Sequence, residues 1–184
     1  MALDPVLFVD FLGYGTAATN IALVTAFLIY IVDRFGPDVR DMTPVKEIES
    51  FVSEWSVHLA LLFASLATFG SLYLSNVMGW GPCSKCWYQR ILVYPTALII
   101  ATGLWFRKDD IADYVVPFNI IGIPLSAYHY VIQRYSQFHS AGCTLTQFSC
   151  ETKHTYYWGV ISIPWMALTA QIVILILLWR YTDY

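Results

Sequence analysis

Charge is what this sequence has least of. Only 12% of its 184 residues are Asp, Glu, Lys or Arg, against roughly 25% in a typical soluble domain. The net charge is only -3 and there is no basic block, which argues against a nucleic-acid partner. The head of the chain, MALDPVLFVD, holds two acids and no Lys or Arg. It therefore lacks the positive n-region of a cleaved signal peptide, and the first apolar run is expected to be a retained helix. Cysteine is sparse: there are four, none in the middle of an apolar run. No internal repeat or low-complexity tract is visible.

What fills the chain instead is apolar surface: 58% of residues are hydrophobic and 17% aromatic, many aromatics standing at the ends of apolar runs. That placement suits anchoring at a membrane interface. Five runs stand out, approximately Phe11–Val32, Trp55–Met78, Ile91–Phe106, Ile111–Ile132 and Trp158–Trp179. A span needs about 17–25 residues to cross about 30 Å of hydrocarbon. The third run is short unless Trp87 to Arg90 begin its helix. The fourth holds Pro117, Asn119 and Pro124, tolerable where neighbouring helices satisfy the freed backbone. His58, inside the second run, is read as a packing or helix-contact residue. The fold expected is an all-α integral membrane protein.

Between the first two runs lies a polar connector, Asp33–Glu54, with an interfacial helix expected from Pro44 onward. A tight charged turn, Arg107 to Asp110, joins the third and fourth runs. Arg34, Arg40, Lys46, Arg107, Lys108 and Arg180 fall on one side, and Lys85, Arg90, Arg134 and Lys153 on the other. The positive-inside rule makes the first set cytoplasmic, by six to four. The amino terminus would then face out and the carboxy terminus in.

Parity places the cysteines. Cys83 and Cys86 follow the second run, and Cys143 and Cys150 follow the fourth. Two spans separate the pairs, so both lie on one side of the membrane. If that side is external, it is also where disulfides persist.

Three chemistries compete for these four residues. Structural disulfides would brace two loops: a Cys143–Cys150 bridge closes about eight residues, worth roughly 2.5 kcal/mol in the chain-entropy model. A Cys83–Cys86 bridge closes almost no chain and gains little this way. A four-cysteine zinc site is the second reading, but six residues separate Cys143 from Cys150, wider than the usual ligand spacing. Redox exchange is the third. In a CxxC pair one thiol can resolve a mixed disulfide made by the other. Lys85 between the cysteines and Arg90 one turn after Cys86 would favour a thiolate, as would the amino-terminal dipole of a helix opening at Trp87. Arg90 at membrane depth needs a partner or a function; the alternatives are a snorkelling side chain and a contact to a polar acceptor.

The segment PCSKCWYQRILVYP (Pro82–Pro95), then YHYVIQR (Tyr128–Arg134), the second cysteine pair and WGVISIPWMAL (Trp158–Leu168) together resemble the disulfide bond formation protein B family (DsbB), especially its BdbC-like branch. The resemblance spans about residues 55–180. It implies a four-helix transmembrane bundle over 55–184. Residues 1–54 would form an amino-terminal extension with one additional transmembrane helix and a cytoplasmic connector. It implies a thiol:quinone oxidoreductase that reoxidises a thioredoxin-fold, DsbA-like partner and passes electrons to ubiquinone or menaquinone in a prokaryotic cell membrane. On that likeness Cys83 and Cys86 would be the quinone-linked pair, with Cys86 the thiolate at the ring. Arg90 and His129 would bind the quinone, and Cys143 and Cys150 would be the shuttle pair. The extension and the short loop around the second pair depart from the common pattern, leaving the helix's role and the partner open. Other readings are a vitamin K epoxide reductase-like quinone reductase, whose CxxC lies later in the chain, and a non-catalytic membrane scaffold or sensor.

Overall fold

The computed structural model describes residues 5–35, 43–135, 150 and 155–182. Six helices account for nearly all of them: α1 (Pro5–Phe35), α2 (Thr43–Glu54), α3 (Ser56–Asn76), α4 (Ser84–Trp105), α5 (Ile111–Arg134) and α6 (Ile163–Thr182). The sole β feature among the described residues is an isolated bridge between Tyr157 and Ile161. α1, α3 and α5 are long and apolar enough to cross a membrane. At about 1.5 Å per residue, the 22 residues of α4 also reach about 33 Å. The protein is an all-α membrane protein.

α3, α4, α5 and α6 pack in a ring, each against the next, and α6 closes back on α3. Short connections make α3 and α4, and α4 and α5, antiparallel neighbours. α1 lies outside the ring against α6, and the amphipathic α2 touches α3 and α6. Helix starts differ from the sequence expectation at two places. α4 opens at Ser84 rather than Trp87, because Cys83 caps it. α6 opens at Ile163 rather than Trp158. Trp158 and Gly159 both have positive φ, and the Val160 N–H donates to the Tyr157 carbonyl at 3.0 Å, which makes a tight turn of the primed type. His58 is exposed, its ring 5.3 Å from that of Trp55.

The two ends of the ring are built differently. Far from the cysteines the core is aliphatic: Ala60 and Ala64 of α3, Ile100 of α4, Ile111 and Val115 of α5, and Ile174 and Leu178 of α6. Nearer the cysteines a buried polar ladder joins three helices. Gln89 Nε2 donates to Ser126 Oγ at 3.1 Å, and Ser126 Oγ donates to Gln171 Oε1 at 2.7 Å. In lipid each such group must find a partner within the protein. Gln171→Leu is expected to cost about 1–3 kcal/mol by stranding Ser126. Thermal unfolding in detergent checks this, an unchanged midpoint counting against the ladder.

Candidate redox site

α3 runs into a turn at Gly79, whose φ of 67° suits glycine, and the Trp80 N–H donates to the Leu74 carbonyl at 3.1 Å. The reversed chain brings Cys83 to the N-cap of α4 in an extended conformation, its Sγ accepting the Cys86 N–H at 3.4 Å. Helix amino termini carry unsatisfied N–H groups and partial positive charge, and here a sulfur takes the capping position. Cys86 lies in the first turn, with its Sγ 3.0 Å from that of Cys83. From α5, His129 brings Nε2 to 3.5 Å of Cys83 Sγ. Cys83 and His129 are buried and Cys86 is half-buried.

This surrounding pushes the Cys83 thiol down from its ordinary value to about 4. The hydrogen bond from Cys86 contributes most, burial opposes it, and His129 adds a hydrogen bond and charge. The resemblance assigns the ring-contacting thiolate to Cys86. The capping N–H of Cys86 and the nearby His129 ring both favour charge on the Cys83 sulfur. Lys85 instead lies over the rings of Tyr88 and Tyr128, at 5.6 and 5.5 Å. A group with a lowered pKa keeps its charge until pH falls through that value. The thiolate absorbance of the reduced protein near 240 nm should therefore persist down to about pH 5, whereas an ordinary thiol, of pKa about 8.5, loses it below about pH 8. Loss of the band between about pH 8 and 7 would contradict this geometry.

Arg90 has found a partner on α3. Its Nε donates to Ser71 Oγ and its Nη2 to the Ser71 carbonyl, both at 3.1 Å. The guanidinium lies 5.2 Å from the Trp87 ring centre, and Tyr94 Oη donates to Ser71 Oγ at 3.2 Å. Ser71 thus fixes the cation one turn below Cys86.

A cavity of about 280 Å³ opens beside these groups, lined mostly by apolar side chains. Cys83, Cys86, Arg90, His129 and Cys150 all line it. Five of the six residues singled out in the sequence therefore meet at one place; the sixth, Cys143, lies outside the described residues. Cys150 is disulfide-bonded and packs in one buried cluster with Cys83 and Ile132, whereas Cys83 and Cys86 are free thiols. The donor atoms of Cys83, Cys86 and His129 lie within 4.8 Å of one another, a set able to hold a thiophilic metal ion when reduced. Sequence reasoning missed Ser71, Gln89 and Trp80. The signal for Ser71 and Gln89 was their polarity beside long apolar runs.

The chain has relatives of known family. A family model described as disulfide bond formation protein DsbB matches residues 53–180. "Probable disulfide formation protein C 1" of Bacillus anthracis is 37% identical over 121 residues, covering 66% of this chain and 87% of the relative. "Disulfide bond formation protein C" of Bacillus subtilis is 35% identical over 120 residues, covering 65% and 87%. "Probable disulfide formation protein" of Oceanobacillus iheyensis is 42% identical over 118 residues, covering 62% and 79%. No solved structure matches the chain significantly.

Proposed function

The chain belongs to the DsbB family of disulfide bond formation proteins, and from that premise we propose that it is a thiol:quinone oxidoreductase. It reoxidises a thioredoxin-fold thiol-disulfide oxidase of the DsbA kind and delivers the electrons to ubiquinone or menaquinone. The observation that carries this reading is the apolar cavity shared by Cys83, Cys86, Arg90 and His129. The residues fit such a ligand: apolar walls suit its ring and tail, and the buried His129 Nδ1 finds no hydrogen-bond partner among the described residues. Arg90 and His129 would hold the quinone beside Cys86. Bound there, it supplies an acceptor for two electrons and two protons.

The chain's own part is a relay of sulfur–sulfur bonds. A partner thiolate attacks Cys143, and Cys150 leaves. Cys150, packed against Cys83, attacks it and displaces Cys86 beside Arg90. The partner's second thiolate then attacks the partner sulfur joined to Cys143, forming the partner's disulfide and freeing Cys143. Cys143 attacks Cys150, and Cys83 departs as a thiolate, a good leaving group because its pKa is low. The state left has Cys83 and Cys86 free and Cys150 disulfide-bonded, as described above. Closing the Cys83–Cys86 bond releases two electrons and two protons to the acceptor. Both pairs would face the outside of a prokaryotic cell membrane, with the carboxy terminus in the cytoplasm. Residues 1–54 would be an extension joined to a bundle of 55–184.

Arg90→Ala tests the acceptor end. Removing a cation held against the cavity should raise the apparent KM for quinone by about tenfold or more and leave exchange with the partner intact. An unchanged KM removes Arg90 from the site.

A further inference from the structure

The family match begins at residue 53, so α1 lies outside it, yet α1 supplies one wall of the cavity. Phe11, Leu12, Gly15, Thr16 and Thr19 form the stripe that lines it, at the i, i+3, i+4 spacing of one helical face. The hydroxyls of this wall are already used. Thr16 Oγ1 donates to the Leu12 carbonyl and Thr19 Oγ1 to the Gly15 carbonyl, both at 2.8 Å. These self-satisfied groups leave an apolar face toward the cavity.

α1 is fastened on both sides of Gly15. Above it, Tyr157 Oη donates to Asp10 Oδ1 at 2.6 Å, and the rings of Phe8 and Tyr73 stand 4.3 Å apart. Below it, Thr169 Oγ1 donates to Asn20 Oδ1 at 3.2 Å. At Gly70 the approach is close, an added Cβ falling 3.2 Å from Leu12. At Gly15 a Cβ would meet nothing within 4 Å. The helix is therefore pinned at Asp10 and Asn20, and at Gly15 between them it leaves room for a side chain. Beyond Asn20 it is largely exposed, with Ile21, Val24, Phe27 and Leu28 all open.

The cavity follows α3 from Leu74, at the level of the cysteines, to Phe63. Eleven residues of helix make that about 16 Å. Its polar end carries Cys86 and Arg90; its far end is apolar. We propose that α1, with α3 and α6, forms the seat of the prenyl tail of the membrane quinone, and that Gly15 sets the room available to that tail. The proposal rests on the quinone reading above and assigns the extra helix a place in the site.

The test compares two ligands, a prenylated quinone and the same ring without its tail, by equilibrium binding to protein in lipid nanodiscs. Gly15→Leu should weaken the prenylated quinone about tenfold, the loss expected when about two buried methylenes are displaced, and leave the tail-less ring unchanged. Ala18→Leu, at an exposed position outside the lining, should change neither. Equal affinities in Gly15→Leu and the native protein overturn the proposal. A native protein that binds neither ligand overturns the quinone reading itself. A second measurement keeps Gly15 in place: a benzophenone side chain at Phe11 should photolink to prenylated quinone, and one at Phe27 should not. Adducts at Phe11 with phospholipid alone, undiminished by excess quinone, would mean that this face merely borders the bilayer.

Discussion

Replacing Cys86 with serine is expected to abolish quinone reduction, by on the order of 10³-fold or more, the scale of losing an essential reacting group. Serine still offers a donor to the Cys83 sulfur 3.0 Å away, so the capped start of α4 is retained. What is lost is the second sulfur. Without it the Cys83–Cys86 bond cannot close, and the electron pair has no exit to the cavity. The variant should still oxidise up to one equivalent of partner and then stop, because the Cys143–Cys150 bond can be spent once. A single turnover without quinone reduction separates loss of the exit from loss of the fold. Continued multiple turnover would place the exit elsewhere.

Cys143→Ser is expected to do the converse. Cys150 is buried against Cys83, so a bulky protein partner must enter through the other member of the pair. Turnover with the protein partner should fall by on the order of 10³-fold or more. A small dithiol, able to reach the half-buried Cys86 directly, should still drive quinone reduction at close to the native rate. If the variant oxidised its protein partner at the native rate, the shuttle role given to Cys143 would be wrong.

Much of this site is legible in twelve residues. The segment from Gly79 to Arg90 states a turn, two sulfurs three apart and a cation one turn later, and each is local information. Parity put both cysteine pairs on one side without knowledge of how the helices pack; that Cys150 packs with Cys83 comes from the fold. What the sequence hides is contact between distant segments. Gln89, Ser126 and Gln171 stand 37 and 45 residues apart, and nothing in their spacing announces a ladder. Tyr157 meets Asp10 across 147 residues, so α1 reads as an anchor until its wall is seen. The start of α4 was misplaced because cysteine is an uncommon cap beside Ser, Thr, Asp or Asn. With that start, the sulfur outside the helix, Cys83, receives the amino-terminal N–H. The turn at Trp158 escaped because an aromatic residue at positive φ is unusual, and hydropathy alone runs the helix through it.

The measurement that tests the account most directly is anaerobic. The detergent-purified protein is given a reduced thioredoxin-fold dithiol and an excess of quinone, and quinone absorbance is followed. One quinone should be reduced per partner disulfide formed, with the activity absent in Cys86→Ser. No quinone reduction, with Cys83 and Cys86 permanently bridged or holding a metal ion with His129, would contradict it and leave a structural or sensing role for the four cysteines.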